Sequence, residues 1–68
     1  MSKRKLTKLF EKELRRNAHP GTSVYKDTLH NIAANLNVGI GEFNERVDNL
    51  RTADVLQYKG NGEYVLQP

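Results

Sequence analysis

Cysteine is absent from this chain of 68 residues, which excludes disulfide bonds, thiolate nucleophiles and cysteine-ligated metal centres. No stretch approaches the roughly 20 apolar residues that a membrane-spanning helix needs. The basic segment Lys3-Arg4-Lys5 is followed by mixed charged and apolar residues, which differ from the continuous apolar core of a signal peptide. We therefore expect a cytoplasmic protein that does not associate with membranes.

Motifs of enzyme active sites are also missing. His19 and His30 are separated by a predicted loop and the start of a helix, and no serine or lysine is evidently placed beside either of them. The chain lacks a glycine-rich phosphate-binding loop of the required spacing. A single histidine without a second ligand nearby seldom binds metal. We expect no enzyme activity, no catalytic residue, no cofactor and no metal.

The length is sufficient for one domain, residues 1–68, near the lower limit at which a single hydrophobic core is stable. The formal net charge is +3 and the pI is about 9.5, but the charge is unevenly distributed. Residues 1–26 carry eight basic and two acidic side chains, whereas residues 27–68 carry three basic and six acidic ones. Such polarised charge is typical of proteins that bind a charged partner.

Residues 1–17 have the apolar spacing of an amphipathic helix, with one stripe that can be buried and an opposite face that is basic. Glu13 lies at the edge of the apolar stripe, where it can pair with Arg16 or cap a neighbouring element. The basic face is either an ordinary solvated surface or an anion-binding surface. The apolar positions are Leu6, Leu9, Phe10 and Leu14, and the basic positions are Lys5, Lys8, Lys12, Arg15 and Arg16.

Residues 27–51 contain two further amphipathic patterns separated by Asn37-Val38-Gly39, where Asn37 and Gly39 both tolerate a positive φ. Asp27 is the expected N-cap of the first of these two helices. The second is predicted from Ile40 to Arg51, with an outward face that is largely acidic. The expected buried positions are Leu29, Ile32, Ala33 and Leu36, then Ile40, Phe43, Val47 and Leu50. The expected outward positions are Glu42, Glu45, Asp48 and Asn49, with Arg46 on one flank and Asn44 and Arg51 on the other.

Residues 55–67 predict a β-hairpin, because two β-prone runs flank the turn Gly60-Asn61-Gly62. Tyr58 and Tyr64 are expected to be close together across the two strands. The short β-prone segment at residues 22–25 is a candidate for a single edge strand. The predicted class is therefore α+β and mostly helical, with three helices and a C-terminal β-hairpin.

The order of these elements resembles the winged helix-turn-helix domain of bacterial, archaeal and phage transcription regulators. The matching residues are Leu29, Ile32, Ala33, Leu36, Val38, Phe43, Val47, Leu50, Val55-Leu56 and Gly62-Glu63-Tyr64-Val65-Leu66. The resemblance covers about two-thirds of the chain. It departs from the family at Asp54, where a glycine is frequent, and on the third helix, where carboxylates replace most of the usual basic residues.

This resemblance implies that the third helix enters the major groove of DNA, that the second helix contacts phosphates and that the hairpin, or wing, contacts the backbone or minor groove. Groove candidates are Glu42, Asn44, Glu45, Arg46 and Asn49. Phosphate candidates are Tyr25, Lys26 and Thr28 at the second helix, and wing candidates are Lys59 and Asn61. Arg51 and the basic residues Lys5, Lys8 and Lys12 complete the predicted DNA-binding set.

Two functions remain open on this reading. The first is a double-stranded DNA-binding protein, either a small transcription regulator or an architectural accessory factor, which would be nucleoid-associated. The second is a winged-helix module for protein interaction, with the acidic third helix or the basic first helix meeting a partner of opposite charge. The expected state is a monomer or a weak homodimer.

Overall fold

The computed structural model describes residues 2–68, which form three helices and a three-stranded antiparallel sheet. This confirms the predicted α+β class and the mostly helical composition, but the sheet has three strands and not two. The element order is compatible with a winged-helix fold. The helices are α1 (Lys3–Asn17), α2 (Lys26–Asn35) and α3 (Ile40–Thr52), and the strands are β1 (Ser23–Tyr25), β2 (Leu56–Gly60) and β3 (Glu63–Leu66).

Helix α1 begins at the predicted place because the Ser2 hydroxyl accepts a hydrogen bond from the Lys5 backbone N–H at 3.2 Å. The helix ends at Asn17, and Ala18 is already extended. Phe10 and Leu14 are fully buried, whereas Leu6 and Leu9 are only half-buried. The buried stripe of α1 is therefore narrower than the apolar spacing predicted.

Helix α2 has its N-cap two residues earlier than predicted, at Tyr25, and Asp27 is not its N-cap. Tyr25 occupies the N-cap position without a side-chain hydrogen bond, and Asp27 lies in the first turn. The reason is that β1 leads directly into the helix, and the Lys26 backbone N–H donates to the Gly62 carbonyl at 2.9 Å. Asp27 still lies near the positive end of the helix dipole.

Helices α2 and α3 both end in a Schellman motif. After α2, the Asn37 N–H donates to the Ala34 carbonyl and the Val38 N–H to the Ala33 carbonyl. Asn37 has a φ of 57°, as predicted, but Gly39 has a φ of −72° and needs no glycine-specific conformation. Of the two residues predicted to tolerate a positive φ in this turn, only Asn37 therefore adopts one.

The N-terminus of α3 departs from the prediction at Ile40, whose side chain is 83% exposed and not buried. Ile40 is the first residue of the helix. The buried stripe begins one turn later, at Phe43. A residue at the end of an apolar pattern thus points into solvent because no element covers it.

Strand β3 is the middle strand of the sheet, in the order β1-β3-β2. The hairpin prediction is confirmed in its turn, where Gly60, Asn61 and Gly62 have φ values of 99°, 54° and 76°. The rings of Tyr58 and Tyr64 lie 5.0 Å apart, also as predicted. Strand β1 adds the third strand by pairing Val24 with Tyr64.

The hydrophobic core lies where the three helices meet one face of the sheet. Helix α1 packs on both α2 and α3, and α3 also packs on β2. Six of the eight predicted core positions of α2 and α3 belong to it, whereas Leu36 is only partly buried and Ile40 is exposed. The buried apolar residues are Phe10, Leu14, Val24, Leu29, Ile32, Ala33, Phe43, Val47, Leu50, Val55, Leu56 and Leu66.

The second Schellman motif generates a stability prediction at Asp54, which has a φ of 61°. Its N–H donates to the Arg51 carbonyl, and the Val55 N–H donates to the Leu50 carbonyl. A left-handed conformation costs an ordinary residue roughly 1–2 kcal/mol, but costs glycine almost nothing. We expect Asp54→Ala to lower the free energy of unfolding by about 1 kcal/mol and Asp54→Gly to leave it unchanged or raise it. Urea denaturation of both variants tests this, and equal stability would contradict it.

Candidate nucleic-acid interface

The outer face of α1 carries six basic side chains on about one-third of the helix circumference. Arg15 and Arg16 are held by ion pairs at the edges of this face, with Glu11 and Glu13 respectively, each at 3.0 Å. The Glu13–Arg16 pair was predicted. The other four are exposed and make no ion pair within residues 2–68: Arg4, Lys5, Lys8 and Lys12.

Two grooves adjoin these four cations. One, of about 320 Å³, has an almost entirely apolar lining made by the lysine stems and Leu9. The other, of about 450 Å³, lies between α1 and the C-terminal half of α3, where Arg4 and Lys8 face Asn49 and Thr52. Lys8 therefore belongs to both grooves, and the second brings a cationic face together with a predicted base contact.

Arg46 is not at the surface, which corrects its predicted position on the flank of the outward face. Its side chain is fully buried and is the largest fully buried side chain among residues 2–68. Its Nη1 atom donates hydrogen bonds to the Lys3 carbonyl at 2.6 Å and to the Thr7 hydroxyl at 2.9 Å. The guanidinium therefore joins α3 to α1 and has no free donor directed to solvent.

The remaining guanidinium atoms of Arg46 approach two carboxylates of α3. Nη2 lies 3.0 Å from Glu45 Oε1, and Nε lies 3.6 Å from Glu42 Oε2, without the geometry of hydrogen bonds. Glu45 Oε1 also accepts a hydrogen bond from Lys3 Nζ at 3.0 Å. This hydrogen bond, together with the charges of Lys3 and Arg46, lowers the pKa of Glu45 below its ordinary value of 4.5.

The acidic face of α3 is consequently less negative than its sequence indicates. Glu42 and Glu45 each have a basic partner within 4 Å, and Asp48 lies 3.8 Å from Arg51 Nη1. Three carboxylates thus share this side of the molecule with three basic residues. Lys3 and Arg46 supply the charge that neutralises the N-terminal half of the face.

The start of α2 and the hairpin turn form a separate polar area. Lys26 and Asn61 line the same concavity of about 400 Å³, next to Tyr25. Thr28 is half-buried, and Lys59 is exposed on β2. The sequence prediction named these residues as phosphate and wing contacts, and the fold brings Lys26 and Asn61 together.

A groove of about 870 Å³ lies between the C-terminal half of α3 and strand β2. Arg51 reaches across it, with its guanidinium carbon 5.2 Å from the centre of the Tyr58 ring. The ring of Tyr64 is tilted by 47° to that of Tyr58, with centroids 5.0 Å apart, and its partial burial raises the pKa of Tyr64 above the ordinary value of 10.0. The groove is lined by Asp48, Arg51, Thr52, Asp54, Leu56, Gln57, Tyr58 and Gln67.

Some predicted contacts lie far apart. Asn44 and Asn49 are both exposed, but five residues separate their directions on α3 by about 140°. Asn49 faces α1, whereas Asn44 lies on the opposite flank. Sequence reasoning omitted Arg4, which shares the helical face of Lys8, and Tyr58, which it treated only as a hairpin-stiffening residue.

His30 has a packing role that its isolated position in the sequence did not indicate. Its ring stacks on Phe43, with centroids 4.0 Å apart and an interplanar angle of 11°. Among residues 2–68, no three histidine, aspartate or glutamate side chains are grouped to hold a metal ion. The described helices include none of the length and apolarity needed to cross a membrane.

No protein-family model, curated protein or solved structure matches this chain. The likeness to winged helix-turn-helix domains therefore depends on element order, core positions and the three-stranded sheet.

The buried position of Arg46 generates a stability prediction. Removing one partner of a buried charged network typically costs about 3–5 kcal/mol, whereas an apolar side chain of similar volume often preserves stability. We expect Arg46→Ala to lower the free energy of unfolding by about 3 kcal/mol and Arg46→Met to lower it by less than half as much. Arg16→Ala, which breaks an exposed pair, is the control and should change stability by at most about 0.5 kcal/mol. Chemical denaturation measures all three, and equal effects of Arg46→Ala and Arg16→Ala would exclude the buried role.

Glu45 generates a prediction on pH dependence. Because its pKa is lowered in the folded state, its ionised form contributes stability above the unfolded pKa, and this contribution disappears as pH falls through the folded pKa. We expect Glu45→Gln to be less stable than the wild type at about pH 7 and the difference to disappear as the pH falls below the lowered pKa of Glu45. Denaturation curves across this range measure it. A difference that does not depend on pH would contradict the ionic contact with Lys3.

Proposed function

We propose that this protein binds double-stranded DNA, with the basic face of α1 as its principal phosphate-binding surface. The observation that carries the proposal is the set of four exposed cations on that face, which lack internal ion-pair partners within residues 2–68. Unpaired cations are available to displace the counterions condensed on DNA, and this displacement supplies much of the affinity. The set is Arg4, Lys5, Lys8 and Lys12.

The ion pairs of α3 support the same proposal because they reduce an expected repulsion. Exposed carboxylates beside a phosphate backbone oppose binding, but Glu42 and Glu45 are balanced here by Lys3 and Arg46. Asn49 can then approach DNA beside Arg4 and Lys8 in the α1–α3 groove. A side-chain amide in that position can read an adenine edge or bind a phosphate.

We further propose that the fold is a winged helix-turn-helix, with α2 and α3 as the helix pair and β2–β3 as the wing. Lys26, Thr28, Lys59 and Asn61 would then supply backbone contacts at the wing side, and Asn44 would face a base. Arg46 is removed from this set because its guanidinium is committed to Lys3 and Thr7. The function would be that of a small regulator or an architectural factor.

A pair of double variants tests which cations bind DNA. Lys8→Gln/Lys12→Gln and Lys26→Gln/Lys59→Gln reduce the net charge equally but alter different surfaces. If each of the four α1 cations neutralises one phosphate, they alone contribute about −3.6 to the slope of log K against log salt, and the first variant should reduce the magnitude of the slope by about 1.8. Fluorescence anisotropy with a mixed-sequence duplex measures both quantities.

The comparison between the two double variants decides the assignment. We expect Lys8→Gln/Lys12→Gln to weaken all duplex sequences similarly and by more than Lys26→Gln/Lys59→Gln. Equal losses of duplex affinity in the two variants would show that binding depends on the net charge of the protein and not on the α1 face. Absence of wild-type binding at about 20 mM salt would refute DNA binding.

A second candidate is docking of an acidic protein on the same face. The observation that favours it is the apolar groove around Leu9, between the stems of Lys5, Lys8 and Lys12. Apolar contact surrounded by cations suits an amphipathic acidic helix, whereas DNA phosphates gain little from it. Leu9→Ser separates the two functions, because it should weaken binding of an acidic helix but leave duplex affinity within about twofold.

A further inference from the structure

The groove between α3 and β2 has features that duplex binding by α1 does not use. Tyr58 is 45% exposed although it lies in a strand that packs on the core. Arg51 lies over its ring, and the Arg51 side chain is itself about half-exposed. Asp48 Oδ1 lies 3.8 Å from Nη1 of that guanidinium.

We propose that this groove binds an unpaired nucleobase of a single-stranded nucleic acid. Unstacked bases are commonly held on aromatic rings and on arginine guanidinium planes, and Tyr58 with Arg51 supplies both. Tyr64 supports the Tyr58 ring from within the sheet, so the stacking surface is already ordered. A base stacked on the exposed part of Arg51 or Tyr58 extends the contact between the guanidinium and the ring. This site is independent of the α1 face.

The polar lining of the groove indicates which bases it accepts. Asp48 and Asp54 are carboxylates that can accept hydrogen bonds from an exocyclic amino group, and Gln57 and Gln67 add neutral amides. Cytosine carries such an amino group, whereas thymine has a carbonyl at the same position. The carboxylates also oppose phosphate, so the base and not the backbone enters the groove. We therefore expect cytosine to bind better than thymine.

The principal test uses fluorescein-labelled oligodeoxycytidylate of about 12 nucleotides, a length within the usual range for single-strand sites. Tyr58→Ala should weaken its binding roughly 5- to 150-fold, the range expected for loss of one stacking contact. Tyr58→Phe should stay within about twofold of the wild type because it keeps the ring. His19→Ala is the control, since His19 is an exposed ring that lies outside this groove and outside the proposed DNA contacts. Equal effects of Tyr58→Ala and His19→Ala would overturn the proposal.

Arg51→Lys provides a second variant that does not depend on the stability of Tyr58→Ala. It retains the positive charge but removes the planar group, so a stacking role predicts loss of affinity and a purely electrostatic role predicts none. Circular dichroism and thermal melting establish that each variant is folded. Unchanged oligonucleotide affinity of folded Arg51→Lys would contradict stacking on the guanidinium.

Comparison of oligodeoxycytidylate with oligothymidylate tests the amino-group contact. We expect several-fold tighter binding of the cytidylate, and Asp48→Asn should reduce this ratio; equal affinity for the two would refute the contact. Lys8→Gln/Lys12→Gln separates this site from duplex binding, because the relative effect of Tyr58→Ala should persist in that background. A protein that fails to bind duplexes but keeps the Tyr58-dependent oligonucleotide binding would refute the function proposed for α1 and leave this site supported.

Discussion

The buried guanidinium of Arg46 is the interaction on which the arrangement of the helices depends. Burying a cation is unfavourable unless it is paired and hydrogen-bonded, and Arg46 meets both conditions only when α1 lies against α3. The Lys3 carbonyl and the Thr7 hydroxyl accept from Nη1, while Glu42 and Glu45 approach the other nitrogens. The contact therefore specifies where the N-terminal half of α1 packs, in addition to the apolar contacts of Phe10 and Leu14.

This constraint also distributes the charge of the molecule. Holding the start of α1 against α3 places Lys3 beside Glu45, so one carboxylate of α3 is paired with a residue distant in sequence, whereas Glu42 and Asp48 have basic partners on α3 itself. The opposite side of α1 then faces solvent with cations that have no comparable partners within residues 2–68. The uneven distribution of charge along the sequence thus becomes a difference in charge between two surfaces of the fold. The carboxylates of the more acidic surface are paired with basic side chains, whereas four cations of the more basic surface have no ion-pair partner within residues 2–68.

Sequence reasoning predicted the helices, the hairpin turn and most core residues, because helical periodicity and turn chemistry are local properties. It was wrong about Arg46, which is three residues after Phe43 and four before Leu50 and so lies at the border of the buried stripe. Polarity alone assigns such a residue to the surface, and only the acceptors on α1 make burial favourable. The opposite error concerns Ile40, which was predicted to be buried because it is apolar. It is exposed because no other element covers it. The Arg51–Tyr58 contact joins two elements and had no local signal either.

The consequence for DNA recognition concerns which elements can make contacts. A third helix that enters the major groove usually brings its own cations, but Arg46 is buried here and Arg51, the remaining basic residue of α3, lies over Tyr58. Under the proposed function, the DNA phosphates are therefore bound by α1 on one side of α3 and by the wing on the other side. Helix α3 would contribute amides, and its carboxylates would serve mainly to anchor the basic helix. The acidic outer face is then compatible with DNA binding because its charges stabilise the element that binds phosphate.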